Sequence, residues 1–357
     1  MRLHLVGGFL GSGKTTAIAS AARLLIEQGQ RVGVVTNDQG KYLVDTVFMN
    51  QLNIPAVEVS GGCFCCNYDD LDDRLRQLEA TEQPNVVFAE SVGSCADIVA
   101  TVIKPLLELS HAPASFSVFA DARLLRQRLL DRPLPFSDDV IYIFDKQIEE
   151  AGLLVINKAD LLTADEAEHT AQLARQRYPD KVIRLQNTLR DDDIAGWLDL
   201  LADDALPLPH TALDIDYDRY GAGEAALAWL DQGVRLVLPG GNLRPAAITV
   251  IQAIVDRLRQ QQTPIGHLKF LIDGQQTPVK ISFVTLDDDT WQQIVPDLTE
   301  DEITLMVNAR VQLSAERLRE LVSDAVAEVQ AQYGGTFETL DIDYFHPAYP
   351  QPTHRRT

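Results

Sequence analysis

The stretch Leu3-His4-Leu5-Val6-Gly7-Gly8-Phe9-Leu10-Gly11-Ser12-Gly13-Lys14-Thr15-Thr16 decides how this chain reads. A short apolar run stops at two glycines, a glycine-rich turn follows, and small and apolar residues then recur at helical spacing from Thr15 to Gln28. Gly8 to Thr15 completes the pattern G-x-x-x-x-G-K-[ST] between a strand and a helix, the context that gives this pattern its meaning. With Gly8, Gly11, Ser12 and Gly13 in the turn, backbone N–H groups can wrap phosphates without a Cβ in the way. Lys14 is expected to reach the β and γ phosphates, the Thr15 hydroxyl to ligate Mg²⁺, and Thr16 to join the nucleotide contacts. The helix start adds its positive end.

Outward from this stretch, short apolar strands alternate with helical segments. Strands are expected at Arg31–Thr36, Val57–Val59, Asn85–Ala89, Phe116–Ala120, Ala151–Ile156 and Val182–Leu185, and helices at Thr15–Gln28 and Leu71–Glu79. That alternation predicts an α/β fold, a mostly parallel sheet with helices on both faces. The alternation stops near residue 205, at the proline-rich Ala205–His210. Beyond it, strands are expected at Leu213–Tyr220, at Ala225–Leu238 with a break at Asp231–Gly233, at His267–Ile272, Val279–Val284, Ile303–Val311 and Phe337–Phe345. Helices are expected at Pro245–Gln262 and from Ser314 to Tyr333. This order predicts a smaller α+β domain of ferredoxin-like type. The expected division is 1–205, 206–346 and a loose polar tail at 347–357.

Three further motifs carry chemistry. Asn157-Lys158-Ala159-Asp160 follows a buried strand. The Asp160 carboxylate can accept from the guanine ring N–H and exocyclic amine, a donor pair that adenine lacks, while Lys158 lies along the ring plane. Glu90-Ser91-Val92-Gly93 ends another strand. Glu90 is placed to hold Mg²⁺, directly or through water, with Thr15 and Asp38, and Gly93 to offer its N–H to the γ-phosphate. Lys14, Thr15 and Glu90 are thus the expected catalytic groups. Asn37-Asp38-Gln39-Gly40 sits where a loop sensing the γ-phosphate belongs, and Asp97 or Asp38 is expected to orient the attacking water.

Three of the 4 cysteines, Cys63, Cys65 and Cys66, fall within four positions after Gly61-Gly62. Neighbours this close do not easily reach disulfide geometry with one another. Three sulfurs on one tight loop suit a soft or borderline divalent metal. Glu58, Asp38, water or a cysteine of a second chain is the expected fourth ligand, and Cys95 is expected to stand apart.

Composition narrows the class. The 357 residues are 46% hydrophobic and 23% charged, which is globular. The 52 acidic residues against 31 Lys and Arg give a net charge of -21, which disfavours nucleic acid and anionic lipid as general partners. No run of ~20 apolar residues spans a bilayer. The first residues show no secretory pattern, so the chain is expected to be cytoplasmic.

Taken in order, GFLGSGKT, NDQG, VEVSGGCFCC, AESVG and NKAD resemble the CobW-like P-loop GTPases, a family related to the nickel- and urease-type metallochaperones. The resemblance covers about residues 1–200, and Glu90 matches the family's glutamate in the third motif. It implies binding of GTP and GDP with Mg²⁺, slow GTP hydrolysis, and Zn²⁺ or Co²⁺ held by Cys63, Cys65 and Cys66 for delivery to a client metalloprotein, with a homodimer as a further expectation. The family usually has Asn-Glu-x-Gly-Glu in the first switch, where this chain has Asn37-Asp38-Gln39-Gly40-Lys41. Ser91 replaces a threonine, and the 7 histidines are scattered rather than clustered. An alternative reading is a GTP-gated protein chaperone that assembles or reactivates a metallo- or corrinoid-dependent enzyme. A small-molecule kinase is a third, and Asn157–Asp160 argues against it.

Overall fold

In the computed structural model, residues 1–38, 44–109, 113–240, 243–274, 278–286 and 290–357 are described. The elements run β1 (Arg2–Gly8), α1 (Lys14–Glu27), β2 (Val32–Asp38), α2 (Val44–Gln51), β3 (Ala56–Ser60), α3 (Tyr68–Thr81), β4 (Val86–Glu90), α4 (Lys104–Leu109), β5 (Pro113–Asp121), α5 (Ala122–Leu129), α6 (Asp138–Glu150) and β6 (Leu153–Asn157). They continue as α7 (Ala164–Arg177), β7 (Val182–Gln186), α8 (Asp191–Ala202), α9 (Tyr217–Ala226), β8 (Ala228–Val237), α10 (Leu243–Gln260), β9 (Ile265–Asp273), β10 (Val279–Phe283), β11 (Glu302–Val311), α11 (Ala315–Tyr333) and β12 (Thr336–Phe345).

The first seven strands form one sheet in the order β3-β2-β4-β1-β5-β6-β7, every neighbouring pair parallel. This is the expected α/β sheet. β1 and β6 are almost wholly buried, as near-continuous apolar strands between two helical layers should be. The carboxyl ends of β4, β1, β5 and β6, successive neighbours in the sheet, emerge together near its middle, where ligands of open α/β folds bind.

The second sheet is antiparallel in the order β10-β9-β11-β8-β12. With α10 and α11 as crossovers, β8, β9, β11 and β12 give the ferredoxin-like arrangement expected, and β10 adds an edge strand. Leu236, Leu268, Phe270, Leu305 and Val307 pack under Val250, Ile254, Leu318 and Val322 of the two helices in one apolar core.

Several local expectations differ. Leu213–Tyr220 is not a strand. Asp216 Oδ1 accepts the N–H groups of Asp218 (3.0 Å) and Arg219 (3.2 Å) and so caps α9, which the alternating apolar–acidic spelling disguises. β8 runs unbroken through Asp231-Gln232-Gly233 because β11 and β12 pair with it on both sides. The chain also divides differently from 1–205, 206–346 and a loose tail. One compact unit comprises 1–39, 52–223 and 349–357, and the other comprises 40–51 and 224–348. The proline-rich stretch still lies on the first unit, where a Cβ on Gly152 would sit 2.4 Å from the Pro207 carbonyl. The segment 40–51, which includes α2, belongs to the second unit, and Asp45 is paired there with Lys269 (2.7 Å) and Lys280 (2.6 Å). Residues 349–357 return to the first unit rather than hanging loose.

Candidate nucleotide and metal site

The phosphate loop is fixed by its own sequence and by the strand ends beside it. Gly13 holds φ +93°, and a Cβ there would lie 2.4 Å from Asn157 Nδ2, so only glycine fits. Lys14 Nζ donates to the carbonyls of Gly8 (2.8 Å) and Phe9 (3.4 Å), which keeps its charge over the loop. Ser12, Lys14 and Thr15 are buried, and Thr16 is exposed on α1.

Thr15 Oγ1 donates to Glu90 Oε1 at 2.9 Å, so the two hard oxygens expected to hold Mg²⁺ are side by side at the loop mouth. That pair fits a hard cation. The side chain of Asp38 and all of Gln39–Lys41 lie outside the described residues. Gly93 comes so near the phosphate loop that a Cβ on it would be 2.9 Å from Leu10 Cα. Gln147 Nε2 holds this segment by donating to the carbonyls of Gly93 (3.0 Å) and Cys95 (2.9 Å). Asp97, expected as a water-orienting group, has another place. It is fully buried, and its Oδ2 accepts Tyr217 Oη and Arg355 Nε, both at 2.7 Å.

Asn157 braces the loop, donating through Nδ2 to the Ser12 carbonyl at 2.8 Å, while its Oδ1 accepts the N–H and hydroxyl of Thr188. Lys158, at φ +60°, donates to the Gly11 carbonyl at 2.6 Å and to Asp121 Oδ2 at 3.2 Å. Burial alone would raise the Asp121 carboxyl, but hydrogen bonds from Arg123 and the charge of Lys158 outweigh it and hold the group below its ordinary range. Burial pulls Lys158 down. Asp160 is exposed and borders a pocket with Ala159, Leu185, Gln186 and Asn187. Asp121, Thr188 and the 185–187 edge were missed in the sequence. Their one signal was position, at or just past the carboxyl ends of β5 and β7.

The cysteines lie on the turn between β3 and α3. The Cys63 carbonyl accepts the N–H groups of Cys66 (3.0 Å) and Asn67 (2.9 Å), which folds the chain back on itself. Cys63 Sγ is 2.7 Å from Cys65 Sγ and 3.3 Å from Cys66 Sγ, and the remaining pair is 3.8 Å apart. Hydrogen bonds from Cys65, then Cys66 and Cys95, hold Cys63 well below the ordinary thiol range. The Cys65 thiol is pushed up, first by its bond to Cys63, and Cys66 is pushed up to about 11 for the same reason. Cys95 therefore does not stand apart. Three sulfurs in one clasp fit a soft divalent cation. Glu58 does not join them, nor does any other acid or histidine among the described residues.

Asn37, at the end of β2, ties this turn to the sheet. Its Nδ2 donates to the Gly62 carbonyl at 2.7 Å and its Oδ1 accepts the Phe64 N–H at 2.9 Å. Asn37 thus grips the chain on both sides of Cys63.

A strand, a glycine loop and a helix with Lys14, Thr15, Glu90 and Asn157 so arranged define a P-loop nucleotide-binding fold. The model described as "CobW/HypB/UreG, nucleotide-binding domain" matches residues 2–184, and the chain belongs to that family. It is 27% identical over 183 residues to a zinc chaperone CobW from Sinorhizobium sp, covering 45% of this chain and 51% of the relative. It is 30% identical over 178 residues to the zinc chaperone YeiR of Escherichia coli (strain K12), covering 48% and 50%. The chain thus spans about half the length of the curated relatives it matches. Among solved structures, HypB from Helicobacter pylori in complex with nickel aligns at TM-score 0.42 and 16% identity, covering 56% of this chain and 85% of that one. No helix among the described residues is long and apolar enough to cross a membrane.

Proposed function

We propose that this protein is a Mg²⁺-dependent GTPase that carries a divalent transition metal, Zn²⁺ or Co²⁺, on Cys63, Cys65 and Cys66 and passes it to a client metalloprotein. The observation that carries this reading is Asn37. It belongs to the first nucleotide switch, and its side chain bonds the backbone on both sides of Cys63.

The loop N–H groups and Lys14 bind the phosphates. Thr15 and Glu90 would hold Mg²⁺, which neutralises charge on the transferring phosphoryl group when bound. Asp160 selects guanine, with Leu185, Gln186 and Asn187 at the edge of its pocket. With no arginine finger evident among the described residues, slow intrinsic turnover is the expectation. A move of Asn37 between GTP and GDP states changes the hold on the cysteine turn, so the triphosphate state binds metal more tightly and hydrolysis releases it.

Competition titrations of Zn²⁺ against a chelator, with GDP and with a non-hydrolysable GTP analogue, test this. A coupling of ~1–3 kcal/mol predicts a roughly 5- to 150-fold higher metal affinity with the analogue, and an equal gain in analogue affinity with metal. Equal metal affinities in the two states reject the gated carrier and favour the protein-chaperone reading, in which the cysteines sense metal.

A further inference from the structure

Residues 349–357 also reach the cysteine turn, at Cys65 and Cys66 rather than at the Gly62 and Phe64 backbone that Asn37 holds. Thr353 donates twice, from its N–H to the Cys65 carbonyl at 2.9 Å and from Oγ1 to the Cys66 carbonyl at 2.7 Å. The N–H of Gln351 donates to Cys66 Sγ itself at 3.3 Å. His354 packs edge-on against Tyr68, the first residue of α3, with ring centroids 5.0 Å apart.

The same segment is anchored a few residues beyond Gly93. Arg355 bonds the buried carboxylate of Asp97, a residue held at φ +63°, in the left-handed region that non-glycine residues rarely adopt. Arg356 N–H donates to the Ala100 carbonyl at 2.8 Å. That bond answers a local need. Val99–Ile103 is a π-turn in which the Lys104 N–H bonds the Val99 carbonyl. The next donor in that register belongs to residue 105, a proline, so the helical ladder offers Ala100 none. Arg356 supplies it, as a buried carbonyl requires.

We propose that Gln351–Arg356 is a positioning strap for the cysteine metal site, fixing the Cys65–Cys66 backbone and directing the Cys66 sulfur toward the metal while anchored on Asp97 and Ala100. This rests on the metal-carrying role proposed above. A backbone N–H on a ligating sulfur sets the direction of its lone pairs, and the two bonds from Thr353 stop the turn from peeling outward. Partners of this kind commonly change metal affinity by 10- to 100-fold when removed.

The test compares the full chain with a chain lacking residues 349–357, and with Thr353→Val and Thr353→Ser. Zn²⁺ affinity is read by chelator competition, Co²⁺ coordination by the thiolate-to-metal and d–d absorption bands, and folding by binding of a GTP analogue. The deletion is expected to weaken Zn²⁺ by roughly 10- to 100-fold and to shift the Co²⁺ d–d bands, with analogue binding retained. Thr353→Val is expected to weaken Zn²⁺ by about 5-fold and Thr353→Ser to restore it, since only the hydroxyl donor differs. In metal-free protein, the deletion should speed alkylation of Cys66 by iodoacetamide. Unchanged affinity, spectra and alkylation in the deletion overturn the strap. A full-length chain that binds neither ion at its thiols overturns the metal-carrying role instead, and the alkylation rates then still decide whether the strap holds the turn.

Discussion

The phosphate loop and the cysteine loop are both glycine-bent turns between a strand and a helix, yet they are held in different ways. The phosphate loop leaves β1, which has three strands on either side of it in the sheet. Its partners Glu90 and Asn157 end strands of that sheet, and each is contiguous with its own motif. The cysteine loop leaves β3 at the sheet edge. It is held by Asn37 and by residues 351 to 353, the latter nearly three hundred positions along the chain. A central site is built by the fold, whereas an edge site has to borrow its second wall.

The sharpest way to break this comparison is to destroy each site and look at the other. Lys14→Ala and Thr15→Ala should each lower GTP hydrolysis by about 10³-fold or more, because positioning and charge neutralisation supply most of phosphoryl-transfer catalysis. Phosphate release measures this, and metal analysis should still find the ion at its wild-type stoichiometry. Cysteine-to-serine changes at 63, 65 and 66 together should reverse the pattern, with the metal lost and GTP binding kept. If either change removes both functions, the sites are one unit and the contrast fails.

A middle-sized effect concerns the base. Asp160→Asn should weaken GTP by roughly 10- to 100-fold, the range for losing hydrogen bonds to a charged group, and improve XTP. Asp160 is exposed, so the melting temperature should hardly change. ATP binding the unaltered protein as tightly as GTP in a competition titration would remove guanine selection from the reading.

The smallest effect sharpens what the central sheet contributes. His4 of β1 is buried against Phe88, its Nδ1 is 2.8 Å from Ser115 Oγ, and burial lowers its pKa from 6.5 to about 4. The folded state therefore keeps His4 neutral while the unfolded chain takes up a proton. Its contribution to stability is present above pH 6.5 and is lost as pH falls from 6.5 toward 4. Between pH 7 and pH 5.5 this amounts to about 1 kcal/mol. Denaturant unfolding of the protein and of His4→Gln at both pH values checks it. An identical pH dependence in the two would assign the acid sensitivity to other groups.

What was legible in the sequence follows the same division. The phosphate loop, Glu90 and Asn157–Asp160 are short, contiguous and placed at strand ends, so type and spacing disclosed them. The parallel sheet was legible because strands buried on both faces spell unbroken apolar runs. Thr188 and Asp121 carry no motif, and only the order of strands in space brings them to the loop. The unit boundary was illegible because the chain enters the second unit at 40–51, leaves it, and returns. Leu213–Tyr220 alternates like a strand, and the capping role of Asp216 outweighs that pattern. Residues 351 to 356 spell a polar end, and their hydrogen bonds run through backbone atoms that no side-chain pattern reveals.

The strap also sets a clock. A ribosome makes residues 349–357 only after the whole of 224–348. At ~5–20 residues per second, that interval lasts on the order of ten seconds. During it, a nascent chain presents the three thiols with Asn37 beside them but without Thr353. The bonds from residues 351 to 353 are therefore added to the cysteine turn only after the second unit has been made, and a chain that breaks off within that unit never acquires them.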